Sequence, residues 1–231
     1  MINIKKMSCT GRRHSREKKQ CEDYSFSCSI KGVSAVALAD GAGSASRAAK
    51  GAMTAAKTAA VYLCENFERI YNSENVDKEK FFIIEAVKYE IQRLYSDEKY
   101  EDYNSTLVCV AVCDDRMLTV HLGDGTIAEI KNGETVFSVL SAPVNGLTGR
   151  QTYLTGMKNA YMYLKLYKRS CADVKALLLM TDGLDSDVFN INSARQRENI
   201  DTELIVNGDC DKYFRTIYSG DDDYSYAVVR M

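Results

Sequence analysis

Proline is almost absent from this chain: Pro143 is the only one, and no Gly/Ser-rich stretch takes its place as a linker. No internal repeat and no low-complexity tract appears either. Nothing marks a domain boundary, so a single domain over residues 1–231 is expected. Long apolar runs are also missing. The longest clean one, Val33 to Ala39 with Ser34 inside it, is far short of the roughly 20 residues of a membrane helix. The start, Met1-Ile2-Asn3-Ile4-Lys5-Lys6, leads into polar sequence rather than an apolar signal region. A cytoplasmic protein without membrane attachment is expected. A basic surplus is lacking: 30 Lys and Arg face 32 Asp and Glu, for a formal charge of -2, which argues against a nucleic-acid or anionic-membrane partner. No Cys-x-x-Cys pair occurs among the 8 cysteines, which excludes a zinc ribbon. A chain this long has no need of disulfides, and the cysteines read as reduced thiols.

What is present is enough apolar sequence for a real core, 45% hydrophobic against 27% charged. Ile2 to Ser8, Tyr24 to Ile30 and Val33 to Ala39 read as strands, the last two joined by a turn at Lys31-Gly32. Ser44 to Phe67 reads as a long helix with an alanine-rich face, and Lys78 to Tyr95 as a second helix with Ile83, Val87, Ile91 and Leu94 as its seam. The period then becomes two. Ser105 to Cys113, Met117 to Leu122 and Thr126 to Ile130 form an expected meander, with a hairpin turn at Asn132-Gly133. Tyr161 to Tyr167, Ala176 to Met180 and Tyr224 to Arg230 add strands. Residues 194–218 read as helical with a break at Asn207-Gly208. This order predicts an α+β fold, a four-layer α-β-β-α sandwich of two stacked antiparallel sheets flanked by helices.

Four acidic clusters sit at the ends of apolar runs: Glu22-Asp23, Asp40-Gly41, Asp182-Gly183 and Asp221-Asp222-Asp223. Taken singly, each has a plain reading: an Asp-Gly turn, a helix cap or a solvated acidic loop. Together they suggest carboxylates from distant parts of the chain converging on a pair of hard divalent cations. The glycine after Asp40 would let a backbone carbonyl approach beside the carboxylate, an oxygen donor set suited to Mg²⁺ or Mn²⁺.

Their joint order resembles the PPM family, the metal-dependent (type 2C) protein serine/threonine phosphatases, in its compact bacterial branch. His14 to Asp23 is similar to that branch's opening motif, a histidine followed by a Gln/Glu-Asp pair. Val36 to Ser44 resembles V-x-x-V-A-D-G-M-G-G, and Asn104 to Leu107 stands where the family has G-T-T. Val120 to Gly125 is similar to v-G-D-S-R, Leu178 to Leu184 to L-L-x-S-D-G-L, and Asp221 to Ser225 to D-D-N-x-T/S. The resemblance implies two Mn²⁺ or Mg²⁺ bridged by Asp40. Asp182 and Asp222 would bind one ion, the Gly41 carbonyl the other, and Glu22 and Asp23 would act mainly through water. The reaction implied is hydrolysis of phosphoserine or phosphothreonine in proteins by a water activated between the two ions. A phosphoprotein is then the substrate, and a cognate serine/threonine kinase is the expected partner.

The chain also departs from the family. Lys18 stands where better-known members have a phosphate-gripping arginine, and a lysine lacks the bidentate fork. His14 is the alternative for that role, with the structural alternative of an ordinary loop histidine. Asp223 replaces the usual asparagine, and Gly-Asp-Gly replaces Gly-Asp-Ser at Gly123 to Gly125, where Asp124 reads as a turn residue. Cys21 is followed by no C-x5-R pattern, so no thiol nucleophile is expected. Two rivals stand beside the enzyme: a catalytically inactive relative of the same fold that binds a phosphoprotein or signal, and an N-terminal-nucleophile hydrolase, for which Met1-Ile2 offers no nucleophile.

Overall fold

A computed structural model of the chain describes residues 2–96, 99–143, 152–190 and 193–231. One antiparallel sheet runs in the order β2 (Asp23–Ile30), β3 (Val33–Asp40), β4 (Leu107–Cys113), β5 (Arg116–Leu122) and β8 (Lys165–Ser170). The second begins with β1 (Asn3–Cys9), β12 (Tyr224–Arg230), β9 (Val174–Met180) and β6 (Thr126–Lys131). It continues through β7 (Ser138–Ser141), β11 (Arg195–Gln196) and β10 (Phe189–Asn190). The expected α+β sandwich is therefore the observed one.

Alternation along the strands builds the layers. In β3, Val36 and Leu38 enter the core between the sheets, while Ala35, Ala37 and Ala39 face outward against α2 (Ala48–Asn72). In β9, Leu177 and Leu179 point between the sheets, while Ala176, Leu178 and Met180 meet the helices of the far side. A buried Leu or Val at such a position contributes roughly 1.5–3 kcal/mol. Alanines at 52, 55, 56, 59 and 60 let α2 lie close on the alanines of β3, and α3 (Val76–Leu94) packs beside it through Ile83, Ile84, Val87 and Ile91. The opposite face is covered by α5 (Asp182–Val188), α6 (Thr202–Val206) and α7 (Cys210–Ile217).

Several expectations shift. The first long helix starts at Ala48, not Ser44, because residues 41–47 run as a loop from the strand end. Tyr161 and Tyr163 belong to α4 (Ala160–Tyr163), and the strand begins only at Lys165. Aromatic packing decides this: Tyr161 meets Phe81 edge-on and Tyr163 stacks on Tyr153. The segment read as helical from residue 194 opens with β11. Its helices start later, where Asp201 accepts from the Leu204 amide and Asp209 from the Lys212 amide. The break at Asn207-Gly208 is where α6 ends.

Candidate metal centre

The two sheets deliver their carboxylates to one end of the sandwich. Asp40 is the last residue of β3 and stands in register opposite Asp23, the first of β2. Asp182 opens α5 directly after β9. Asp124 lies in the turn between β5 and β6. The backbone fixes these ends. The Asp40 amide donates to Thr106 Oγ1 (3.0 Å), its carbonyl accepts from the Thr106 amide (2.8 Å), and the Gly41 amide donates to the Glu22 carbonyl (3.1 Å). Gly183 is required by packing, since a Cβ there would collide with the Asp223 carbonyl oxygen.

Asp40, Asp124 and Asp182 each offer a carboxylate oxygen, and these atoms all lie within 4.8 Å of one another. Burial and the neighbouring carboxylates hold Asp40 protonated well above the ordinary range. The same causes raise Asp182 to about 7. Burial raises Asp23 to about 6 even though Thr181 Oγ1 donates to it at 2.7 Å. The Asp23 and Asp40 carboxyls, opposite each other in register, each shift the other's titration. One Asp124 oxygen accepts from Thr152 Oγ1 at 2.5 Å, while the other is buried without a partner among the described residues. Among the described residues, no lysine, arginine or histidine makes an ion pair with the three clustered carboxylates. Repulsive carboxylates with an orphaned oxygen fit hard, oxygen-loving divalent cations.

The other expected site residues lie around this cluster. Gly41 follows Asp40 and bridges to Ser105 across the sheet. Glu22 is half-buried, and burial raises its carboxyl. Asp222 is near enough to Asp182 to raise its affinity for a proton, but its own carboxylate is held by Arg13 at 2.6 Å. The cluster thus contains Asp124 where Asp222 was expected. Asp223 is buried and accepts from the Gly11 amide (2.7 Å), the Glu22 amide (2.6 Å) and His14, whose Nδ1 lies 2.8 Å away. His14 is buried in α1 (Arg12–Glu17), not a loop histidine, and its Nε2 lies 3.9 Å from Glu22. Lys18 caps α1 in a left-handed conformation, and its side chain is exposed and makes no ion pair among the described residues. Cys21 is held as a neutral thiol by burial and by Asp23 and Asp223. Asp124 was the residue most easily missed. Its signal is the one that marked Asp40 and Asp182: an apolar strand running into Asp-Gly.

With this geometry in place, comparison with known proteins is decisive for the family. The family model for protein phosphatase 2C matches residues 10–211. The chain belongs to the protein phosphatase 2C family. No curated protein matches it in sequence. Solved structures of the same fold include a bacterial serine phosphatase, with 14% identity, TM-score 0.72 and coverage of 100% of this chain and 98% of that one. A serine/threonine phosphatase of S. agalactiae superposes with 18% identity and TM-score 0.70, covering 100% of both chains. The serine/threonine phosphatase Stp1 of Staphylococcus aureus does so with 14% identity, TM-score 0.66 and coverage of 100% of this chain and 95% of that one. At these identities the likeness is one of fold.

Proposed function

We propose that this family member is a metal-dependent protein phosphatase that hydrolyses phosphoserine and phosphothreonine, acting as one domain on phosphoproteins in the cytoplasm. The carrying observation is the convergence of Asp40, Asp124 and Asp182 within 4.8 Å with no cationic partner among the described residues. Two Mn²⁺ or Mg²⁺ bound there would supply a water of lowered pKa as nucleophile and screen the charge of the phosphoryl group.

The chain's own residues do the rest. Asp40, Asp124 and Asp182, with the Gly41 carbonyl, would hold the ions as a donor set, and Asp222 would join them only by leaving Arg13. Asp23 and Glu22 flank the set and orient water toward it. Asp223 and His14 are positioning residues: the carboxylate takes the Glu22 amide and thereby fixes where the Glu22 side chain starts. Arg13, freed from Asp222, is a better candidate than Lys18 to meet a phosphoryl oxygen, because its guanidinium already holds a carboxylate that acts on Asp182, while Lys18 makes no ion pair among the described residues. A serine/threonine kinase that phosphorylates the same substrates is part of the proposal. Among the described residues no helix is long and apolar enough to cross a membrane.

One observation favours a second reading, an inactive relative that binds a phosphoprotein: the Arg13–Asp222 pair occupies a carboxylate expected to bind metal. Phosphate release from p-nitrophenyl phosphate and a phosphothreonine peptide, with Mn²⁺ or with EDTA, separates the two. Turnover that needs Mn²⁺ and disappears in Asp40→Asn is the expected result. Metal binding without turnover on either substrate would leave the inactive relative.

A further inference from the structure

Beside the acidic end of the sandwich lies a cleft of about 440 Å³ lined by Cys9, Thr10, Arg12, Arg215, Tyr218 and Tyr224, among others. Its two guanidinium groups come from separate elements, the first residue of α1 and the last turn of α7. Both are exposed, and neither makes an ion pair among the described residues. Arg13, one position away, differs in being neutralised by Asp222. Arg12 sits over the Tyr218 ring at 5.9 Å, and Tyr218 stacks on Tyr224 at 4.2 Å. Among the described residues, Arg215 finds only the Met7 sulfur, at 3.4 Å. Burial and nearby acidic groups hold the Tyr218 phenol neutral by raising it to about 12, so this wall adds no charge, and its proton is already given to the Asp222 carbonyl.

An aromatic floor with two guanidinium groups at its rim, neither in an ion pair among the described residues although Asp187, Asp221 and Asp222 lie near Tyr218, suits an anion. Each planar fork can give two parallel hydrogen bonds to a carboxylate or phosphoryl group, and the rings exclude water that would weaken them. The cleft is also joined to the candidate metal centre by covalent and hydrogen bonds. Tyr218 OH donates to the Asp222 carbonyl, Tyr224 follows Asp223, and Arg12 precedes Arg13.

We propose that this cleft is a subsite for an anionic side chain, carboxylate or phosphoryl, flanking the phosphorylated residue of the substrate. The proposal rests on the phosphatase reading and specifies its substrate class: acidic or multiply phosphorylated segments. Arg12 and Arg215 serve as specificity residues and take no part in the chemistry.

The test uses Mn²⁺-loaded full-length protein, as wild type and as Arg12→Gln/Arg215→Gln. Substrates are p-nitrophenyl phosphate and three phosphothreonine peptides, flanked by glutamate, by phosphoserine or by glutamine. Wild type is expected to favour both anionic peptides over the neutral one by about tenfold in kcat/KM, the size of one good charge-assisted contact. The double variant should lose that preference while keeping wild-type rates on the neutral peptide and on p-nitrophenyl phosphate. The two peptide arms tell a carboxylate from a phosphoryl occupant, and preference for either one supports the proposal. Turnover of p-nitrophenyl phosphate with no flank preference, or a preference that survives the double substitution, overturns it and leaves the phosphatase reading intact. Inorganic phosphate that inhibits wild type but not the double variant, in the absence of any flank preference, would assign the cleft to free phosphate and also overturn it. No turnover of any substrate would instead defeat the phosphatase reading. Should the double variant fail to fold, Arg12→Lys and Arg215→Lys keep charge but lose the fork, and each should reduce the preference.

Discussion

His14 Nδ1 lies 2.8 Å from Asp223 Oδ2, and through this contact the first helix meets the residue that leads into the last strand. The carboxylate is buried and takes two backbone amides as well, from Gly11 and Glu22. An asparagine in its place would have one oxygen for these donors and would turn N–H groups toward others. The aspartate found here in place of the family's asparagine is therefore matched by its surroundings.

Removing the imidazole should be costly. In His14→Ala the buried carboxylate loses one of its partners, at a cost of about 1–3 kcal/mol. Urea unfolding with EDTA present measures this directly. In Asp223→Asn the same histidine has less to gain, so the two substitutions together should cost less than their sum. Additive costs would mean that the contact carries no energy.

Asp124→Asn should have opposite effects on the metal-free and metal-loaded protein. The change removes one charge from a cluster held together against its own repulsion, and gives the orphaned position an amide that can donate to a neighbouring carboxylate. Without metal the variant should melt higher than wild type at pH 8. Its affinity for Mn²⁺, measured by calorimetry, should fall by about tenfold or more, on the order of one lost charged ligand. A lower melting point in EDTA together with unchanged Mn²⁺ affinity would remove Asp124 from the donor set.

The layers were legible in the sequence because β3 and β9 alternate cleanly, with even and odd positions serving different cores. The strand ends at Asp40 and Asp182 were legible for the same reason: an apolar run stops at Asp-Gly. Asp222 and Asp223 were harder to tell apart. Adjacent carboxylates look alike in a sequence, and only the long-range donors, Arg13 for one and His14 with two amides for the other, separate an exposed side chain from a buried one. Tyr161 and Tyr163 have the alternation of a strand, yet rings from Phe81 and Tyr153, remote in sequence, draw them into a short helix. Such pairings across long separations leave no local signal.

Acidity sets the stability of the metal-free protein through the same cluster. Asp23 and Asp185 are raised to about 6 and Asp182 to about 7, from an ordinary 3.8. A carboxyl raised on folding holds its proton more tightly in the native state. Its contribution is full below about pH 4 and is lost as pH rises through about 6 to 7. In EDTA the melting temperature of wild type should therefore fall between pH 5 and pH 8, and Asp182→Asn should flatten the fall. Mn²⁺ should restore the loss most strongly at pH 8. Parallel pH profiles for wild type and variant would show that the cluster is not strained.

His121 works in the opposite sense and at a different place. It lies fully buried on β5, where its Nδ1 is 2.7 Å from Ser141 Oγ on β7, a bond between the two sheets. Its Nε2 has no partner among the described residues, and burial together with Lys165 lowers its pKa to about 3. The unfolded chain takes up a proton near 6.5 that the native state refuses. Stability from this residue is thus complete above about pH 6.5 and lost as pH falls toward about 3, at about 1.4 kcal/mol per pH unit. His121→Gln keeps a group able to reach Ser141 and removes the titration. Urea midpoints measured in EDTA from pH 7 to pH 4 should then show wild type losing ground to His121→Gln at every step, because the carboxylate contribution is common to both. A constant difference between the two over that range would mean that the imidazole is protonated, or already solvated, in the folded protein.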